Sequence, residues 1–216
     1  MELLAFFWDL AVHLDKHLAA LLQQYGPWIY ALLFVIVFCE TGLVVTPFLP
    51  GDSLLFVAGA LWAAAGMDAR LLAATLIAAA LCGDNVNYWV GRFLGPKVFR
   101  WEGSRFFNRR ALDKTHAYYE RFGGRTVIIA RFVPLVRTFA PFVAGVGTMP
   151  YLRFLAFSVA GALLWVIALV TAGFYFGNVP LVKNNLTIVI FAIVALSVAP
   201  IVFEFLRMRL GAPKVR

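Results

Sequence analysis

Cysteine and histidine are scarce in this chain, which has two cysteines and three histidines among 216 residues. Cys39 and Cys82 lie in apolar runs, where a thiol behaves as a small hydrophobic side chain, so they predict neither a disulfide framework nor a metal site. His13 and His17 share a helical face, but no third ligand accompanies them. His116 has no serine or cysteine near it in sequence, and the H-E-x-x-H zinc motif is missing. The chain is therefore predicted to have no catalytic residues, metal or cofactor, and not to be an enzyme.

Charged residues are also few, at 14% of the chain against 62% hydrophobic residues. A soluble domain of this length could not bury so much apolar surface, which indicates a membrane protein. Four apolar runs approach the roughly 20 residues that a bilayer-spanning helix needs; they are 28–45, 71–90, 151–176 and 186–206. The sequence therefore predicts an all-α polytopic membrane protein with four full transmembrane helices.

The basic residues are unevenly distributed. Of the 19 Lys and Arg, nine lie in 92–125 and four in the tail 207–216, whereas the loops around Arg70 and Lys183 hold one each. By the positive-inside rule, the basic loop 92–125, the tail and both termini face the cytoplasm, and the Arg70 and Lys183 loops face outward. Topology thus accounts for the formal charge of +8, and no nucleic-acid partner is predicted. The basic loop either contacts anionic lipid headgroups or forms a solvated face.

The N-terminal segment 1–24 has a different pattern. Acidic Glu2 and Asp9 stand where a signal peptide would carry basic residues. Apolar residues recur there at helical spacing, namely Phe6, Phe7, Leu10, Leu14, Leu18 and Leu21. The pattern predicts an amphipathic helix in the membrane interface, ahead of a single membrane domain over 25–206.

Two further apolar segments, about 46–66 and 126–147, are interrupted by charges and helix breakers. Proline removes a backbone donor and clashes with the preceding helical turn; the breakers are Pro47, Pro50 and Gly51 in the first segment, and Pro134 and Pro141 in the second. If the second segment crossed fully, the basic tail would lie outside, against the charge bias. We therefore expect two re-entrant helical hairpins that enter from opposite faces, an inverted repeat of the type that transporters use.

Four charges are predicted to lie at membrane depth: Glu40, Asp52, Arg131 and Arg137. Left unpaired, they would cost about 10 to 14 kcal/mol, which rivals the net stability of a domain at about 5 to 15 kcal/mol. One interpretation is structural: salt bridges join the hairpins, and Asp52 caps a helix that begins at Ser53. The other is functional: the two arginines hold a phosphate with their planar forks, while Glu40 and Asp52 bind and release protons.

A secondary group, Asp84, Tyr88 and Arg92, lies in the cytoplasmic half of the span 71–90. Asp84 is interpreted either as a local ion-pair partner of Arg92, two helical turns away, or as part of a secondary functional group with Tyr88 and Arg92.

The motifs around these charges resemble the DedA family of bacterial inner-membrane proteins, over about residues 25–177. They are FCETG at 38–42, PFLPGD at 47–52, GD at 83–84 with Tyr88, Gly91-Arg92 and Gly95, RFVPLVRTFAPFVAG at 131–145, GALLW at 161–165 and GFYFG at 173–177. The resemblance implies a transport fold with two opposed re-entrant hairpins, shared with eukaryotic VTT-domain lipid scramblases. It also implies that the positions matching Glu40, Asp52, Arg131 and Arg137 are the functionally important ones.

From this resemblance we expect a lipid flippase that depends on the proton gradient, with undecaprenyl phosphate recycling as the leading activity and envelope homeostasis as its role. Its expected partners are a polyprenyl phosphate or phospholipid, protons and membrane lipids. A proton-coupled carrier of small ions or solutes is the alternative. A scaffold role and a homo-oligomer stay open, because small-residue patches such as 78–80 suit helix packing.

Overall fold

The computed structural model describes residues 14–43, 51–98, 127–128, 131, 134–183, 188–189 and 192. Its regular elements in these ranges are all helical, as the composition predicts. Several predicted features lie outside the described residues: the start of the interfacial helix with His13, both Pro47 and Pro50, most of the basic loop with His116, most of the span 186–206, and the tail. They stay predictions.

The described elements follow one another as α1 (Leu14–Tyr25), a 3-10 turn (Gly26–Trp28), α2 (Ile29–Gly42), α3 (Gly51–Ala64), α4 (Ala69–Val98), α5 (Pro134–Val146), α6 (Tyr151–Phe176) and α7 (Pro180–Lys183). The 3-10 turn between α1 and α2 begins at Gly26, whose φ of 51° suits a residue without a Cβ. Pro27 follows and cannot donate a backbone hydrogen bond, so the regular α-helical bonding is interrupted here.

Three helical stretches are long and apolar enough to cross a membrane, by length and composition: His17–Gly42, Ala69–Gly95 and Tyr151–Phe176. At 1.5 Å per residue, each is about 39 to 41 Å long, which exceeds the roughly 30 Å hydrocarbon core. They coincide with three of the four predicted spans. The first begins at His17 instead of residue 28, because α1 and the 3-10 turn extend it. The position of α1 in the membrane interface stays a prediction.

Helices α3 and α5 are shorter, with 14 and 13 residues. Each is about 20 Å long and therefore too short to cross the hydrocarbon core alone. Each short helix leads into one long helix and packs mainly against the other: α3 precedes α4 but lies against α6, whereas α5 precedes α6 but lies against α4. The opposed re-entrant geometry itself stays a prediction.

Glycines allow these short helices to approach the long ones closely. Gly91 of α4 lies against the backbone of Phe142, and Gly145 of α5 lies against the backbone of Tyr88. Gly59 of α3 faces the α6 backbone in the same way. A Cβ at any of these positions would overlap a backbone carbonyl oxygen, so the helices meet along small-residue surfaces of the kind found in membrane bundles.

The main apolar core packs α1, α2, α3, α4 and α6 together. Trp62 of α3 is fully buried in it, and its indole N–H donates to the hydroxyl of Tyr30 at 2.9 Å. Apolar residues of α2 and α3 belong to this core, whereas Glu40 and Asp52 of the same two helices do not.

Candidate functional site

Arg137 lies between two carboxylates that come from different helices. Its Nη2 donates to Oε1 of Glu40, and its Nη1 donates to Oδ1 of Asp52. The side chain of Glu40 is 2% exposed and that of Arg137 9%, whereas that of Asp52 is 18% exposed. The planar guanidinium has donors pointing in two directions, so one arginine satisfies both acids.

The helix ends explain why these three residues meet. Glu40 is in the last turn of α2, Asp52 in the first turn of α3 and Arg137 in the first turn of α5. Asp52 therefore lies inside the first turn of α3, which begins at Gly51, and is not the cap of a helix beginning at Ser53. Gly51 lies against the carboxylate of Glu40, where a Cβ would overlap it. The glycine thus leaves the room that the buried acid occupies.

Arg131 does not share these acids; it pairs with Asp84 of α4. Its Nη2 donates to Oδ2 of Asp84, and the hydroxyl of Ser158 donates to the same oxygen at 2.5 Å. Ser158 is itself fully buried, and the side chains of Arg131 and Asp84 are only 6% and 4% exposed. The predicted quartet is therefore divided into two ion-paired groups, one around each arginine.

Trp165 of α6 connects the two groups. Its indole N–H donates to Oδ1 of Asp52 at 2.8 Å. The guanidinium carbons of Arg137 and Arg131 lie 5.0 and 5.8 Å from its ring centroid, within the range of cation–π attraction. Trp165 belongs to the GALLW motif, but its role could not be predicted, because an aromatic ring in a long apolar span carries no signal that separates it from core packing.

The space between the two groups is small. A cavity of about 10 Å³ is lined by Thr41, Asp84, Val127, Arg131, Arg137, Ala140, Pro141 and Trp165. That volume corresponds to about one water molecule. The centre is therefore closed in this conformation, and both guanidinium groups are bound to carboxylates.

Asp84 changes the charge balance of the centre. With Glu40 and Asp52, three carboxylates face Arg131 and Arg137, so the fully ionised set carries a formal charge of −1. Oε2 of Glu40 is also buried and lies against Gly51. One bound proton would neutralise the formal charge of the centre.

The interpretation of Asp84 as an Arg92 partner is wrong. Arg92 instead donates to the hydroxyl of Tyr88 at 3.0 Å, and Tyr88 donates to the carbonyl of Met149 at 2.5 Å. The side chain of Asp84 is directed towards Arg131, because its carboxylate is held by Ser158 across the α4–α6 contact. Tyr88 and Arg92 form a separate link from α4 to the loop before α6.

Asn87 is a second residue of the site whose role was not predicted from the sequence. Its side-chain amide donates to the carbonyls of Thr41 at 3.1 Å and Thr138 at 2.6 Å. It therefore ties the end of α2 and the first turns of α5 to α4. The signal available in the sequence was a polar amide side chain inside an apolar stretch, between the Gly83-Asp84 motif and Tyr88.

The predicted breakers differ in their effect. α5 begins at Pro134 and α3 at Gly51, so both coincide with helix starts. Pro141, in contrast, lies inside α5, which continues to Val146. Its missing N–H removes one bond, but packing against α4 on both sides of the proline holds the helix together.

Within the described ranges, no three His, Cys, Asp or Glu side chains are grouped so that they could hold a metal ion.

Comparisons with known proteins agree on the kind of protein. Residues 49–175 match the family described as the VTT domain. The chain is 52% identical to Protein DedA of Escherichia coli K12, over 99% of both chains. It is 33% identical to Inner membrane protein YghB of the same strain over 85% of this chain and 82% of that one, and 37% identical to Inner membrane protein YqjA over 70% and 69%. No solved structure matches significantly. The names of these relatives state no catalytic activity.

Proposed function

Because this chain belongs to the DedA family of VTT-domain membrane proteins, we propose that it is a lipid flippase driven by the proton gradient. Its substrate is a polyprenyl phosphate, with undecaprenyl phosphate as the leading candidate, which it returns from the outer to the cytoplasmic leaflet. Two relatives are named inner membrane proteins, and three apolar helices here are long enough to span a bilayer. Both support a multi-pass protein of the bacterial inner membrane, and the role that we propose for it there is envelope homeostasis.

The observation that carries this proposal is the pairing of Arg137 with both Glu40 and Asp52 at the meeting point of three helix ends. Two carboxylates occupy the donors that would otherwise hold a phosphate, and Arg131 is occupied by Asp84 in the same way. A phosphate monoester presents oxygens to guanidinium groups in a similar geometry. It would therefore compete with the acids for the arginines.

Proton coupling follows from that competition. A protonated carboxyl releases its arginine, and the arginine then binds the lipid phosphate; loss of the proton restores the ion pair and expels the phosphate. The formal excess of one negative charge favours uptake of a proton by the centre, since a buried uncompensated charge is costly, and that uptake releases an arginine. The lipid tail stays in the hydrocarbon, so the protein needs a polar path for the headgroup alone.

One observation favours a second candidate, a proton-coupled carrier of small ions. The central cavity has room for about one water molecule, which suits a small ion better than a phosphate headgroup in this conformation. A flippase requires the two ion-paired groups to separate during transport, whereas a small-ion carrier does not.

The test is a transport assay with the purified protein in vesicles. Transbilayer movement of undecaprenyl phosphate is measured with and without a pH gradient, for the wild type and for Glu40→Gln, Arg131→Ala and Arg153→Ala. Arg153 is an exposed arginine of α6 outside the centre, so its variant should transport normally. Gradient-dependent movement that fails in the first two variants supports the flippase. Absence of movement of several polyprenyl phosphates by correctly folded protein refutes it and favours the small-ion carrier.

A further inference from the structure

A second cavity lies away from the charged centre, in a groove between α4 and α6. It measures about 610 Å³, within the range of about 300 to 1,000 Å³ that is usual for ligand pockets. Its walls are apolar and come from both helices, including Ala73, Ile77, Ile167 and Val170. An apolar groove on the side of a membrane helix pair suits a hydrocarbon chain.

The mouth of the groove carries one charge of each sign. Asp68 and Arg70 both line it, both are exposed, and neither joins an ion pair within the part of the chain that the structure describes. One oxygen of Asp68 accepts the backbone N–H of Arg70 at 2.8 Å, which holds the acid at the start of α4. Its other oxygen and the guanidinium of Arg70 remain available to a ligand.

The mouth of the groove coincides with the end of two apolar helical stretches. Asp68 precedes the stretch Ala69–Gly95, Arg70 is its second residue, and Tyr175, which is 70% exposed, lines the groove at the end of α6. Tyrosine and arginine are typical of the interface between hydrocarbon and water. A ligand here would have a polar end between Asp68 and Arg70 and an apolar end along Ile77 and Ile167.

We propose that this groove binds one aminophospholipid, a lipid whose headgroup carries a phosphodiester and a primary ammonium. Arg70 binds the phosphodiester, Asp68 accepts hydrogen bonds from the ammonium, and one acyl chain fills the groove. An anionic lipid without the ammonium would meet the uncompensated charge of Asp68. A quaternary ammonium has no N–H to donate, so it would satisfy Asp68 poorly. The site does not depend on which substrate the charged centre transports.

Binding is tested with the full-length protein, purified and depleted of lipid. Phosphatidylethanolamine, phosphatidylcholine and phosphatidylglycerol with identical acyl chains are compared by native mass spectrometry. We expect one phosphatidylethanolamine to be retained at least fivefold over either other lipid. Arg70→Gln and Asp68→Asn should each abolish the preference; Asn keeps an oxygen for the N–H of Arg70 but no charge. Arg153→Ala should leave the preference unchanged. Equal retention of the three lipids overturns the proposal, as does a preference that survives both variants.

A second measurement locates the lipid in the wild type and so does not depend on the variants folding. Phosphatidylethanolamine with a photoreactive acyl chain is cross-linked, and the labelled peptides are identified. We expect label on 73–77 and 167–174, reduced by Thr171→Trp, which fills the groove, and not by Ala156→Trp, which lies on an exposed position of α6 outside it. Label elsewhere, including on the segment after Lys183, overturns the assignment. Because neither readout measures transport, failure here leaves the proposed flippase intact, and failure of the flippase leaves this site intact.

Discussion

At the residue scale, the centre depends on which group each charged side chain touches. Arg137 holds two acids with one guanidinium, Arg131 is held by Asp84 and Ser158, and Trp165 contacts both arginines. The structural and functional interpretations of these charges are therefore compatible, because the ion pairs that close the centre are the contacts that the proposed phosphate ligand would displace. Removing one partner of a buried ion pair destabilises a protein more than replacing the whole pair, because the single removal leaves a buried charge without a partner.

We expect Arg137→Lys to fail despite keeping the positive charge. The lysine ammonium is a point charge and cannot present the planar fork that reaches Glu40 and Asp52 together. Breaking a buried pair costs about 3 to 5 kcal/mol, so the unfolding temperature in detergent should fall and transport should drop at least tenfold. A lysine variant with normal transport and stability would show that the double contact is not required.

The Asp84–Arg131 pair is tested by a double-mutant cycle. The effects of Asp84→Asn and Arg131→Ala on unfolding free energy should be strongly non-additive, with a coupling of about 0.5 to 3 kcal/mol, because the two side chains are in contact. Asp84→Asn with Arg92→Ala serves as the control and should be close to additive. Coupling to Arg92 but not to Arg131 would contradict the pairing seen here.

Trp165→Phe isolates the indole N–H. Phenylalanine keeps an aromatic face for the two arginines but loses the hydrogen bond to Asp52, which at a charged acceptor is worth about 1.5 to 3 kcal/mol. We expect a lower unfolding temperature for this variant. Trp28→Phe, at a residue that is 75% exposed, should change little. Equal effects of the two substitutions would indicate that the N–H of Trp165 contributes nothing specific.

At the element scale, the arrangement of short and long helices positions the charges. Each short helix leads into one long helix and packs against the other, so the first turns of α3 and α5 meet at the centre with Asp52 and Arg137. The glycines at the α4–α5 crossing and the amide of Asn87 hold this crossing in place. The geometry of the site is thus a consequence of close helix packing.

Gly145→Ala tests the α4–α5 crossing. Alanine raises helix propensity by about 1 kcal/mol, but its Cβ would overlap the carbonyl oxygen of Tyr88. Overpacking of a close contact costs about 1 to 3 kcal/mol or more, so we expect net destabilisation and reduced transport. Ala156→Leu, on an exposed position of α6, is the control. A stabilised Gly145→Ala variant would show that the helices separate easily.

At the scale of the whole molecule, the orientation of the protein in the membrane decides the direction of the proposed transport. The charge distribution predicts that the loop at Arg70 faces outward and that the start of α6 faces the cytoplasm. The proposed lipid groove would then open in the outer leaflet.

Single cysteines test this orientation in a background with both native cysteines replaced by alanine. We expect Asp68→Cys to react with a membrane-impermeant maleimide in intact spheroplasts. Arg153→Cys should react only after the spheroplasts are permeabilised. Both positions are exposed in the structure. The reverse pattern would invert the topology and with it the proposed direction of the flippase.

The sequence by itself determined the membrane class, the three long helices that the structure describes and four of the five charged residues that meet in the centre. Hydropathy and the positive-inside bias act along the chain, so runs such as 151–176 and charges such as Arg137 can be recognised without knowing their neighbours. The family motifs also identified Asp84 as a residue of interest, though with the wrong partner.

Only the tertiary structure decided which acid each arginine contacts, that Trp165 lies between them, and that Pro141 stays inside a helix. Arg131 and Asp84 are 47 residues apart in sequence, and Arg137 and Glu40 are 97 apart. Such contacts depend on how closely α3, α4, α5 and α6 pack, which is set by glycines and interlocking side chains and not by any local periodicity.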